Sequence, residues 1–237
     1  MININIFSDF ACPWCFIGEK RMEDAIEKLG LEGQVNIWYR AFELDPNAPK
    51  ASNASTAERL AAKYHISVEQ AKQRIAQVDK AGQDTGITGF NFSGVQPSNT
   101  LDAHRLMKLA ENSYKPEVVQ KLNKALFNAY FVKNLQISDH KVLTDIGSES
   151  GLDINDIKNV LESDQYKEEV INDENIAHNL GITGVPYFII NDKIAIPGAI
   201  PSEDFAYAFK HISEENSSQE ETGSSCATCD ETGCHIN

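Results

Sequence analysis

Strand-forming sequence is confined to two stretches of this 237-residue chain, one at its start and one beginning at Pro186, with a long helical section between them. At the start, Ile2, Ile4 and Ile6 alternate with Asn3, Asn5 and Phe7, the period-2 pattern of a half-buried strand. Ser8-Asp9-Phe10-Ala11 reads as a loop. Cys12-Pro13-Trp14-Cys15 then opens a helix that runs to Leu29 and is closed by Gly30 and Gly33. Pro13 suits the first turn, where its missing N–H would have no helical partner anyway. A second strand over 35–42 carries Val35, Ile37 and Tyr39 on one face. This β-α-β order favours parallel strands joined by a crossover helix.

The spacing of apolar residues predicts helices over 56–65, 68–85, 100–112, 116–132, 139–150, 154–163 and 165–180. Ser67-Val68-Glu69-Gln70 fits a capping box, and Pro116 sits at a helix start. Residues 87–98, with Gly89, Gly94 and Pro97, read as an irregular loop. Strands return over 186–190 and 193–196 around an Asn191-Asp192 hairpin turn, and a last helix spans 202–211. A β-α-β unit and a β-β-α unit make a four-stranded mixed sheet flanked by helices. The expected class is therefore α/β: a thioredoxin fold with an all-helical domain inserted after the second strand. The division expected is 1–43 and 181–212 for the thioredoxin-like domain, 44–180 for the insertion, and 213–237 for an acidic tail. That tail is rich in Ser, Glu and Gln, has no Lys or Arg after Lys210, and reads as a flexible tether.

The five cysteines fall in two clusters, Cys12 with Cys15 and Cys226 with Cys229 and Cys234. A disulfide framework would spread its cysteines and accompany export. The N-terminus lacks the basic lead and apolar core of a signal peptide, so a cytosolic protein is expected. With 41% hydrophobic residues the chain can bury a core without disulfides. No apolar run is long enough to span a bilayer, and a formal charge of −14 opposes nucleic acid or anionic membrane as partners. Clustered cysteines in a reducing compartment point to redox chemistry or metal ligation.

A CxxC at a strand–helix junction puts Cys12 where free N–H groups and the positive end of the helix dipole favour a thiolate. The thiolate is the attacking species in disulfide exchange, with Cys15, one turn further in, as the resolving thiol. The plainer readings are a half-filled zinc site or inert thiols, but no nearby His or Cys completes a metal site. Thr183-Gly184-Val185-Pro186 starts the third strand, where the proline reads either as an edge residue or as a cis-proline packed against the dithiol.

Residues 8–18 (SDFACPWCFIG), 99–106 (NTLDAHRL) and 181–188 (GITGVPYF) together resemble the DsbA family, in its cytosolic FrnE-like branch, over residues 1–212. The resemblance implies a thiol–disulfide oxidoreductase or isomerase acting on protein or small-molecule disulfides. No resident cofactor is implied, with glutathione as a possible thiol substrate. It also implies substrate contacts at Pro13, Trp14, Val185 and Pro186, the last following a cis peptide, and at Asn99 and His104. His104 reads alternatively as a packed helix residue beside Leu101, Leu106 and Met107. The same superfamily contains 2-hydroxychromene-2-carboxylate isomerases and kappa-class glutathione transferases, which use serine where this chain has Cys12. A glutathione-dependent isomerase or transferase is one alternative, and a redox-sensitive adaptor without catalysis is another.

The second cysteine cluster ends with His235. Cys226, Cys229, Cys234 and His235 have the residue types for one zinc ion. As a tethered dithiol, the same cysteines would exchange with Cys12 and Cys15. In that case one of the three is left over. The third reading is a tail with incidental cysteines.

Overall fold

The computed structural model describes residues 1–49 and 54–223. Its first unit is β1 (Ile2–Ser8), α1 (Pro13–Lys28) and β2 (Val35–Ala41), and its last is β3 (Tyr187–Ile190), β4 (Ile194–Pro197) and α9 (Ser202–Gly223). Between them lie α2 (Thr56–Tyr64), α3 (Val68–Asp84), α4 (Leu101–Ser113), α5 (Pro116–Phe131), α6 (His140–Ser150), α7 (Ile154–Leu161) and α8 (Lys167–Asn179). The four strands form one sheet in the order β2-β1-β3-β4, with β1 parallel to β2 and antiparallel to β3. This is the mixed sheet of a thioredoxin fold, with the helices α2 to α8 following β2.

Alternation along the strands sorts the core onto two faces. Ile4, Ile6, Phe188 and Ile190 are wholly buried in the main core with Ile17 and Met22 of α1 and Phe205 and Phe209 of α9. Phe7 points the other way, to Ala177 of α8 and to Ile182. The Asn191-Asp192 turn has both residues in the left-handed region, at φ 51° and 55°, as a two-residue hairpin of this twist requires.

The helical section grips the sheet through the free edge of β2. The Tyr39 N–H donates to Glu111 and its C=O accepts from Lys108, both on α4. The Ala41 N–H donates to Asp173 and the Glu43 N–H to Glu174, both on α8. Charged side chains thus satisfy backbone groups that an uncovered edge strand would leave open.

One expectation needs correction. The final helix does not stop near 211 but continues to Gly223, into the stretch read as a tether. Ser, Glu and Gln are adequate helix formers, and no Pro or Gly interrupts them before Gly223. Cys226, Cys229, Cys234 and His235 lie outside the described residues. The loop over 87–98 is irregular, as its glycines and proline indicate, and it buries Phe90, Phe92 and Val95. Phe90 stacks on Phe131, and Phe131 lies against Phe16, the residue after Cys15. Gly82 leaves room for this layer, because a Cβ there would sit 2.4 Å from the Phe90 ring. Gly82→Ala is expected to cost about 1–3 kcal/mol through overpacking, read from the denaturant midpoint. A midpoint equal to wild type would show that the aromatic layer yields freely.

Candidate active site

Cys12 is the N-cap of α1, in extended geometry at φ −94° and ψ 112°, with Pro13 in the first turn. Its side chain makes no capping hydrogen bond and no acidic residue occupies the first turn. The positive end of the α1 dipole, with no acidic side chain to oppose it, makes this a place suited to an anion. The loop is fixed from below: the Cys12 N–H donates to the Asp9 carbonyl at 2.9 Å, and the Cys15 N–H to the Cys12 carbonyl at 3.1 Å. Both cysteines are free thiols. Cys12 is 4% exposed and Cys15 is fully buried, while Trp14 between them is 40% exposed. Burial, and after it the contact with Cys12, pushes the Cys15 thiol well above its ordinary range.

The loop before β3 closes over the dithiol. The Val185–Pro186 peptide is cis, and the Cys12 thiol donates to the Val185 carbonyl at 3.5 Å. Gly18, one turn past Cys15, lets this loop approach, since a Cβ there would be 3.1 Å from Pro186 Cγ and 3.3 Å from Ala199 Cα. Four residues singled out in the sequence, Cys12, Cys15, Val185 and Pro186, are therefore assembled by the fold, with Pro13 and Trp14 carried by the same loop.

Asn99 and His104 are held differently. The Asn99 amide donates to the Pro46 carbonyl, and its oxygen accepts from the Leu101 N–H at the start of α4. His104 is 4% exposed, with its ring 4.9 Å from that of Phe10 and its Nε2 3.5 Å from an Asp9 oxygen. It borders a cavity of ≈ 10 Å³, room for about one water. His104 thus reaches the dithiol loop from behind, through Asp9. Asp9 itself, read in the sequence as mere loop, is 1% exposed and anchors the segment by accepting from the Ala11 and Leu44 N–H groups.

Sequence reasoning also missed a buried polar cluster behind Cys15. Ser8, Glu19 and Asn123 are each at most 6% exposed. The Ser8 hydroxyl donates to one Glu19 oxygen at 2.9 Å and the Asn123 amide to the other at 2.5 Å. The signal was present, because Cys15, Glu19, Met22 and Ile26 share the buried face of α1, and a carboxyl at such a position is out of pattern. Among the described residues, no group of three or more His, Cys, Asp and Glu is placed to hold a metal ion, and no helix is long and apolar enough to cross a membrane.

A family model for the DSBA-like thioredoxin domain matches residues 3–210. The uncharacterized protein YwbO of Bacillus subtilis (strain 168) is 28% identical over 218 residues, which is 90% of this chain and 97% of that protein. The crystal structure of the probable DsbA oxidoreductase SCO1869 from Streptomyces coelicolor aligns over 100% of both chains, at 28% identity and a TM-score of 0.80. The cytosolic disulfide reductase DsbM from Pseudomonas aeruginosa, solved with GSH, shares the fold at 15% identity and a TM-score of 0.57, over 89% of this chain and 98% of that one. With the dithiol at the head of α1, the cis-proline loop across from it and a family match over nearly the whole described chain, the protein belongs to the DSBA-like thioredoxin domain family.

Proposed function

We propose that the protein is a cytoplasmic thiol–disulfide oxidoreductase of the FrnE-like branch. It exchanges disulfides with protein or small-molecule thiols through Cys12 and Cys15, glutathione being a thiol substrate rather than a resident cofactor. The observation that carries this reading is the Cys12 sulfur at the N-cap of α1, 3.5 Å from the Val185 carbonyl beside Pro186.

In reduction, the Cys12 thiolate attacks one sulfur of a substrate disulfide, the S–S bond breaks, and the other sulfur leaves with the electron pair as a thiolate. Cys15 then attacks the Cys12 sulfur of the mixed disulfide and expels the second substrate thiolate. The protein is left with a Cys12–Cys15 disulfide, and two external thiols reverse the steps to restore the dithiol. Trp14, 40% exposed beside Cys12, offers an apolar surface to the substrate chain.

The test is reduction of a fluorescent peptide disulfide by glutathione, with and without alkylation of the reduced protein by iodoacetamide. Turnover above that of glutathione alone, lost after alkylation, is expected. Equal rates in all three samples would sink the proposal. A glutathione-dependent isomerase would instead show saturable glutathione binding that survives Cys15→Ser.

A further inference from the structure

We infer that Glu43, packed with His104 and Asp9 behind the dithiol loop, is a positioning residue that makes exchange at Cys12 respond to pH. Its ionisation adds a negative charge behind the loop and slows the approach of a thiolate to the Cys12 sulfur. This rests on the dithiol-exchange reading and adds to it the group that adjusts its rate.

The cluster is built around Asp9. The Asp9 carbonyl accepts from the Cys12 N–H at 2.9 Å, and its carboxylate accepts from the Ala11 N–H at 3.2 Å and the Leu44 N–H at 2.7 Å. One residue therefore ties the loop that carries Cys12 to the segment that follows β2. Glu43 precedes Leu44 on that segment, and its own N–H donates to Glu174 of α8. From α4, His104 brings its Nε2 to 3.5 Å from an Asp9 oxygen.

Two atoms of this cluster are buried without a hydrogen bond. Among the described residues, three buried side-chain polar atoms are in that condition: Glu43 Oε2, His104 Nε2 and Ser98 Oγ. A carboxyl oxygen so placed carries charge at a cost, and the group keeps its proton longer than an exposed carboxyl does. The charged and titratable groups that face Glu43 are His104 and Asp102 on α4, Glu174 on α8 and Asp9. Asp102 is already paired, with Arg105 at 2.7 Å and His140 at 2.9 Å. Of the four, His104 favours the ionised form of Glu43 and the three carboxyls oppose it. Burial, the largest effect, pushes the Glu43 carboxyl up to about 7, against the opposing pull of His104.

The sign of the effect follows from the chemistry at sulfur. When an external thiolate attacks the Cys12–Cys15 disulfide, a bond forms to the Cys12 sulfur and the Cys12–Cys15 bond breaks. Cys15 leaves with the electron pair, and negative charge gathers on the three sulfurs in the transition state. A carboxylate at position 43 opposes that charge, and a neutral acid does not. The opposition is absent well below pH 7, where Glu43 is protonated, and fully present well above it. Glu43 touches no reacting atom and acts through the loop that Asp9 anchors.

The experiment reduces the oxidised full-length protein with 2-mercaptoethanol, a reagent whose one charge is its thiolate. Cys226→Ser, Cys229→Ser and Cys234→Ser are introduced so that only the Cys12–Cys15 disulfide reacts. The rate, read by acid quench and alkylation mass, is divided by the thiolate concentration at each pH. Glu43→Gln keeps the length of the side chain and its neutral state. The ratio of its rate to the parent's is expected to be near one at about pH 5.5. It should rise to about fivefold by about pH 8.5, the order expected of one charge acting across a loop. The midpoint of the rise should fall near 7, where Glu43 ionises. In a His104→Gln background the same comparison should have its midpoint at higher pH, because the group that favours the Glu43 carboxylate is gone. A purely structural role would give a ratio that does not vary with pH. Such a flat ratio, whatever its size, or a midpoint unmoved by His104→Gln, overturns the inference. If the oxidised parent is not reduced at Cys12 at any pH, the exchange reading itself fails and the inference falls with it.

Discussion

Cys12→Ser is expected to lower disulfide-exchange turnover by about 10³-fold or more, whereas Cys15→Ser should complete the first attack and then stop as a mixed disulfide. The two variants differ because the positions differ. Cys12 caps α1 and faces the Val185 carbonyl, while Cys15 is sealed beneath it against Ser8. A serine hydroxyl at position 12 is hardly ionised near neutral pH and does not attack sulfur. The fold should not suffer. The present N-cap side chain makes no capping bond, and serine is among the preferred N-cap residues, so helix α1 is expected to hold or gain stability. Intact mass after incubation with a peptide disulfide reads the outcome. Cys12→Ser should show no adduct, and Cys15→Ser one peptide per chain. Adduct on Cys12→Ser would move the nucleophile elsewhere. An adduct on Cys15→Ser that clears rapidly would name one of Cys226, Cys229 or Cys234 as a resolving thiol and give the tail a redox role.

The parts of this arrangement that sequence reveals are those carried by local pattern. The isoleucine alternation in β1, the capping box of α3 at Ser67 and Gln70, and the Asn191-Asp192 turn each follow from a few adjacent residues. The dithiol and the proline after Val185 were legible for the same reason. The place of Glu19 on the buried face of α1 was legible too, but its partners were not, because Ser8 and Asn123 are 11 and 104 positions away and only the folded α1, β1 and α5 bring them together. Asn99 is the converse case. Its motif pointed to a ligand, yet its amide donates to the Pro46 carbonyl, 53 positions away, a tie that no local pattern shows. The grip of α4 and α8 on the edge of β2 was hidden too, since it depends on charged residues that a sequence reading assigns to solvent.

Lys108→Ala is expected to destabilise the protein by about 3–5 kcal/mol, the loss typical of removing one partner from a buried ion pair. The Lys108 side chain is 7% exposed and its ammonium lies 2.6 Å from Asp173, whose side chain is 3% exposed. The same ammonium donates to Glu111 and to the Tyr39 carbonyl, each at 2.8 Å. Alanine would leave a buried carboxylate, with Arg40 at 3.3 Å as its remaining cation, and a β2 carbonyl without its donor. Asp173→Asn should cost less, because the amide oxygen can still accept from the Ala41 N–H and Lys108 retains Glu111. The denaturant midpoint measures both, and hydrogen exchange supplies a local test: the Tyr39 and Ala41 amides should exchange faster in Lys108→Ala. A loss below about 1 kcal/mol would mean that apolar packing alone seats the helical section on the sheet. The expected result has a consequence for the dithiol. Tyr39 and Ala41 lie in register with Ile6 and Ser8 of β1, so the side chains that anchor α4 and α8 also hold the strand that presents Ser8 to Cys15.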